Sequence, residues 1–186
     1  GGVISPLLAN IYLHYTLDLW FEKRVKRNSQ GYARLIRYAD DYVACFQSVE
    51  DARHFMQAME ERLKQFHLEV APEKTQLFEY GHFAHSKAKP RGERTATFDF
   101  LGLTHYCSRS RDGKRFRMKR KTASKRFTAK LKGYKAWLKA NRTLPTAEIL
   151  QTTAAKLRGH FAYYGVTDNS RSISNFAYQV TRTLFK

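Results

Sequence analysis

Asp40 and Asp41 stand side by side behind Tyr38 and Ala39, and two adjacent carboxylates between apolar runs can hold a divalent cation. Arg34-Leu35-Ile36-Arg37 before the box and Tyr42-Val43-Ala44-Cys45-Phe46 after it are β-prone, so the four residues predict a hairpin tip. Neighbouring carboxylates repel each other, and a cation relieves the repulsion. Magnesium takes a few carboxylates plus substrate phosphate oxygens, which a tip of this kind suits. Successive strand residues point to opposite sides, so Asp40 is expected as the direct ligand and Asp41 as a partial ligand or a support. A solvated turn is the plainer alternative, since Asp is common in turns.

The surrounding pattern says what would position that tip. A helix is predicted to start at Ser5 as cap with Pro6 in its first turn, and Leu8, Ile11, Tyr12, Tyr15 and Leu19 recur along it as one apolar stripe. It fades over residues 23–28, and Ser29-Gln30-Gly31 is a turn. After the hairpin, Ser48-Val49-Glu50-Asp51 reads as a capping box, followed by a core face of Val49, Ala52, Phe55, Met56, Met59, Leu63 and Phe66. A strand over residues 75–79 is expected to return beside the hairpin, and residues 81–97 read as a surface loop. His82 and His85 could share a zinc ion only with two further ligands, and none lies nearby. Residues 98–107 read as a strand, with a turn at Asp112-Gly113 leading to a strand over 115–118. From Thr122 the pattern is helical, with Phe127, Leu131, Tyr134 and Leu138 buried; residues 141–145 break it, and two more helices follow over 146–164 and 172–185.

Charge divides the chain. Of the 34 Lys and Arg, residues 1–80 hold 10, set against 11 Asp and Glu, whereas residues 81–186 hold 24 against 5. Between Gly113 and Ala147 there are thirteen basic residues and no acid. Solvated charged faces mix signs, so this excess calls for a polyanionic partner, a phosphate backbone before a membrane surface or an acidic protein. A hydrophobic share of 42% argues for a folded chain. No apolar run approaches the roughly 18 residues a membrane span needs, and no signal peptide opens the sequence. Cys45 and Cys107 fit no disulfide or zinc spacing, in keeping with a reducing compartment, and Cys45 reads as core.

Five segments, in order, resemble the motifs of reverse transcriptases. Gly1-Gly2-Val3-Ile4-Ser5-Pro6-Leu7-Leu8-Ala9-Asn10-Ile11-Tyr12-Leu13 is similar to the helix before their catalytic hairpin. Tyr38-Ala39-Asp40-Asp41 matches their Y-x-D-D box, and Pro72-Glu73-Lys74-Thr75 resembles the later motif that carries a lysine. Phe98-Asp99-Phe100-Leu101-Gly102 resembles the primer grip, and Leu157-Arg158-Gly159-His160-Phe161-Ala162-Tyr163-Tyr164-Gly165 resembles a maturase-type thumb. Over nearly the whole chain the likeness is to group II intron reverse transcriptases.

The resemblance implies an α+β palm over residues 1–120, an antiparallel sheet with helices on one face, then an α-helical thumb bundle over 121–186. It implies an RNA-directed DNA polymerase working with Mg2+, or Mn2+ in its place, on an RNA template, a DNA primer and deoxynucleoside triphosphates, with intron RNA as a splicing partner. Asp40 and Asp41 would hold two ions about 4 Å apart, one to activate the primer hydroxyl and one to hold the pyrophosphate. Lys74 would protonate or neutralise that leaving group. Gly2, Ser5, Pro6 and Asn10 would face the template base and nucleotide, and Tyr38 the primer end. Phe100, Leu101 and Gly102 would hold the primer. Lys119, Arg120, Lys125, Lys130, Lys135, Arg158, His160 and Tyr163 would bind nucleic acid. The family's third aspartate and its fingers are expected before Gly1, so the chain is expected to be an inactive fragment of a cytoplasmic, nucleoid-associated protein of bacterial or organellar type. An RNA-binding maturase without polymerase activity is the alternative, and retention of Asp40-Asp41 favours the enzyme. A related class serving phage defence or retroelement mobility fits the thumb pattern less well.

Overall fold

The computed structural model describes residues 4–185, and of Lys89 only the backbone. Gly2, expected at the nucleotide, lies outside the described residues. The chain is α+β and forms two compact units, Gly1–Phe78 and Glu79–Lys186. Strands over residues 98–122 therefore share a unit with the C-terminal helices, whereas the motif boundary expected from the sequence falls at 120/121.

In the first unit, α1 (Ser5–Leu13) runs on through two π-helical turns, His14–Asp18 and Phe21–Val25, into α2 (Lys26–Asn28). Ile4, not Ser5, occupies the cap position, without a side-chain hydrogen bond. The expected stripe fails as a core face: Leu8, Ile11, Tyr12 and Tyr15 are exposed, and burial begins at Thr16, Leu17 and Phe21. Residues 4–12 are exposed on every side, so no face of α1 is buried among the described residues. Farther along, each π turn, marked by Leu19 N–H donating to the His14 carbonyl and Lys26 N–H to that of Phe21, inserts a residue and shifts the helical phase.

β1 (Ala33–Tyr38) and β2 (Asp41–Phe46) form the hairpin, antiparallel, with Tyr38 opposite Asp41. Ala33, Leu35, Tyr42, Ala44 and Phe46 face the core, where they meet Leu17, Phe21 and the buried Phe55, Met59 and Leu63 of α3 (Val49–Gln65). Cys45 therefore sits on the outer face beside Arg34 and is exposed, contrary to the sequence expectation. Ser48 caps α3 as expected, accepting from the N–H groups of Glu50 and Asp51. Asp51 turns away from the capping box and accepts from the Gln30 and Gly31 N–H groups, pinning the turn before β1. Residues 75–79 form no strand; Leu77 stays 45% exposed, so the segment has no buried face to hold it to the hairpin.

In the second unit, residues 82–88 make a helix, α4 (His82–Ala88), where a loop was expected. Its His82 and His85 rings pack on Phe116, with centroids 5.4 and 5.6 Å away, so tertiary contact supplies what periodicity lacks. The single strand expected over 98–107 is broken into β3 (Phe98–Phe100) and β4 (Leu103–Arg109) by a two-residue turn, and β5 (Phe116–Thr122) completes an antiparallel β3-β4-β5 sheet. Helices α5 (Ser124–Ala140), α6 (Thr146–Tyr164) and α7 (Ser170–Leu184) follow, gathered around Tyr134, Phe176 and Val180. Among the described residues no helix is long and apolar enough to cross a membrane.

Candidate active site and nucleic-acid interface

The acidic tip is a two-residue turn, Ala39-Asp40, between paired Tyr38 and Asp41. Ala39 has φ +53°, the left-handed region, which costs an L-residue roughly 1–2 kcal/mol. Strain of that kind persists only where neighbours enforce it. The enforcing neighbour is Arg37, whose side chain lies on the inner face with Leu35. Its Nε and Nη2 donate to the two carboxylate oxygens of Asp18, at 2.8 and 2.6 Å. Its Nη1 donates to the Ala39 carbonyl at 2.7 Å and to Asn10 Oδ1 at 2.9 Å. This hydrogen bonding holds the Asp18 carboxyl below the usual carboxylate range and raises the Arg37 guanidinium. The turn is thereby tied to the helix at Asn10 and Asp18.

Asp40 and Asp41 are both exposed, and neither side chain forms an ion pair or hydrogen bond among the described residues. Tyr38 is 65% exposed on the same outer face as Asp41. Asn10 joins this cluster through Arg37 and donates from Nδ2 to the Pro6 carbonyl at 3.1 Å. Ser5 and Pro6 are exposed at the helix start. Lys74 is exposed in the turn at residues 72–74 and makes no hydrogen bond or ion pair with the acidic tip among the described residues.

In the second unit the turn Leu101-Gly102, expected as part of the primer grip, has both residues at positive φ, 51° and 73°. It rests on α6: Tyr163 donates its hydroxyl to the Leu101 carbonyl at 3.1 Å, and Gly102 lies against the Tyr164 ring. Lys130 Nζ sits 4.7 Å above the Tyr164 ring and 5.8 Å above that of Tyr163, bringing two expected binding residues, Lys130 and Tyr163, to the turn. The buried Asn169 fixes the junction, accepting from Thr122 N–H at 2.8 Å and donating to the Tyr164 carbonyl at 2.8 Å. Lys125, Lys130, Lys135 and Arg158 are exposed, while Lys119 and Arg120 are half-buried on β5. No basic residue between 113 and 147 has an ion pair among the described residues.

Residues 1–105, more than half of the chain, match the family model of the reverse transcriptase (RNA-dependent DNA polymerase). The chain belongs to the reverse transcriptase family. No curated protein matches it.

One expected contact of this reverse transcriptase is corrected. His160 is 2% exposed, stacked on Phe176 at 3.8 Å, so it supports the bundle and offers nothing to a nucleic acid. Reverse transcriptases generally use divalent ions, and two free carboxylates on an exposed turn suit a hard cation. Among the described residues, however, no third His, Cys, Asp or Glu completes a cage. Arg37, Asp18 and Asn169 were missed by motif reading. Arg37 left one signal, a charge at an inward position of an alternating strand; Asn169, a lone amide in a loop, left none.

Proposed function

We propose that this chain is the catalytic-hairpin-to-thumb part of a group II intron reverse transcriptase, an RNA-directed DNA polymerase that also binds intron RNA. Residues 1–120 act as palm, and residues 121–186, with helices α5, α6 and α7, as thumb. The observation that carries the reading is the exposed Asp40-Asp41 turn, held in strained form by a dedicated clamp in a chain of this family. A divalent ion held there would activate the primer hydroxyl and stabilise the pyrophosphate as it leaves. Asp40, at the tip, is the direct ligand; Asp41 shares its face with Tyr38, whose ring packs against the primer sugar. Lys74 neutralises the leaving group once nucleotide is bound. Phe100, Leu101 and Gly102 hold the primer backbone, and the unpaired basic residues of β5, α5 and α6 hold template–primer or intron RNA by their phosphates. A maturase without polymerase activity is the second reading, and the unpaired basic surface alone would support it. Manganese titration decides at the hairpin: paramagnetic broadening should centre on residues 39–42 and disappear in Asp40→Asn. An identical pattern in that variant would move the metal elsewhere.

A further inference from the structure

We propose that Arg37 is a positioning residue for the reaction, a clamp that sets the direction of the Asp40 carboxylate by anchoring the Ala39 carbonyl to the helix. The proposal rests on the metal-holding reading of the turn. Arg37 commits four hydrogen bonds, and their order matters. Two go to both oxygens of Asp18, at 2.6 and 2.8 Å, which fixes the plane of the guanidinium from the helix side. Nη1 then lies in that fixed plane, so the Ala39 carbonyl and Asn10 Oδ1 receive a donor whose position the helix has already set.

The next step is covalent geometry. A peptide is planar, so anchoring the Ala39 oxygen also fixes the Asp40 nitrogen and Cα. With Asp41 held opposite Tyr38 on the other side, the φ of Asp40 is restricted, and with it the direction in which its side chain leaves the turn. Ala39 is in the left-handed region, so without the anchor it gains by relaxing. Asn10 hangs on the same guanidinium, which couples the helix segment at Asn10 to the acidic tip through one side chain. Lysine cannot substitute. Its ammonium is a point donor without a planar fork, and it cannot hold Asp18 at both oxygens while aiming at a carbonyl. A role confined to stapling helix to sheet would need only the Asp18 pair; the bond to Ala39, two residues along its own strand, belongs to the turn.

The test uses the 186-residue chain with Arg37→Ala, Arg37→Lys and Asp18→Asn, and with Arg34→Ala on the outer face as control. Without metal, amide relaxation of Ala39, Asp40 and Asp41 should show order parameters falling from about 0.85 to below about 0.6 in Arg37→Ala, with the rest of β1 and β2 unchanged. Manganese affinity should fall about tenfold or more, as it does when a support behind a metal ligand is lost, with Arg37→Lys and Asp18→Asn in between and Arg34→Ala unaffected. If Arg37→Ala does not fold, Asp18→Asn carries both readouts. Turn order and manganese affinity unchanged in these variants would overturn the clamp. Broadening unchanged by Asp40→Asn would instead overturn the metal reading, so the two failures are distinguishable.

Discussion

A Cβ added to Gly102 would stand 3.0 Å from the hydroxyl oxygen of Tyr164. The turn that resembles the primer grip therefore touches helix α6 with no room for a side chain, and its φ of 73° already favours glycine. Both effects point the same way.

Gly102→Ala is expected to destabilise the second unit by about 1–2 kcal/mol, the sum of a left-handed alanine and a displaced Tyr164. Thermal unfolding measures it. Tyr163→Phe, which removes only the bond to the Leu101 carbonyl, should cost about 1 kcal/mol. A Gly102→Ala chain as stable as the parent would mean that the turn and α6 do not depend on each other.

His160 predicts an acid sensitivity. Burial and the nearby Lys130 charge push its imidazole down to about 4, and neither nitrogen has a hydrogen-bond partner among the described residues. An unfolded chain would titrate this group near 6.5. Between those values the unfolded state binds more protons, so stability is full above about 6.5 and is lost as pH falls toward 4, by about 3 kcal/mol at most. His160→Phe keeps the stack on Phe176 and should flatten the stability profile between pH 4 and 6.5, measured by urea unfolding at several pH values. An undiminished slope in that variant would assign the proton uptake to another group.

The difference between what was legible and what was not follows the range of the interactions. The hairpin, the Ser48 cap and the three C-terminal helices were readable because alternation, capping and 3.6 spacing are local signals. The apolar stripe of Leu8 to Tyr15 was misread because apolar spacing marks a face without saying whether anything covers it, and residues 4–12 are exposed on every side. The break at Leu101-Gly102 was hidden inside an apolar run, since leucine at positive φ has no sequence signature. Within the candidate site, Asp40 and Asp41 could be named from spacing, but the parts that hold them could not. Arg37 meets Asp18 across 19 residues and Asn10 across 27, and such pairings arise only when the helix and hairpin pack.

The basic surface makes a quantitative prediction for binding. If about five of its cations neutralise phosphates, log affinity for an RNA–DNA duplex should fall against log salt with a slope of about −3.5 to −4.5. Base sequence should matter little, because phosphate contacts position without specifying. Lys135 is exposed on α5, so Lys135→Glu should weaken binding to all duplexes alike and flatten the slope by about one or more. Fluorescence anisotropy across a salt series supplies the numbers; a salt-independent affinity would remove phosphate contact as the basis of binding.

The 186-residue chain is expected to bind template–primer without extending it. Two-ion catalysis needs enough carboxylates to fix both ions, and Asp40 and Asp41 have no third His, Cys, Asp or Glu grouped with them among the described residues. Two exposed carboxylates make a weak magnesium site, and manganese should bind better, following the general order of divalent affinities. Loss of ion placement removes stabilisation where charge develops in the transition state, and extension should fall by several orders of magnitude against an intact reverse transcriptase. Binding is expected to draw instead on the basic residues and the Leu101-Gly102 turn of the second unit, which need no metal, so affinity should survive and Asp40→Asn should leave it within about twofold. The assay is extension of oligo-dT on poly-rA with manganese, run beside anisotropy on the same duplex. Processive extension by this chain would mean that the two aspartates of the hairpin suffice, and that the metal site is built differently from the one proposed.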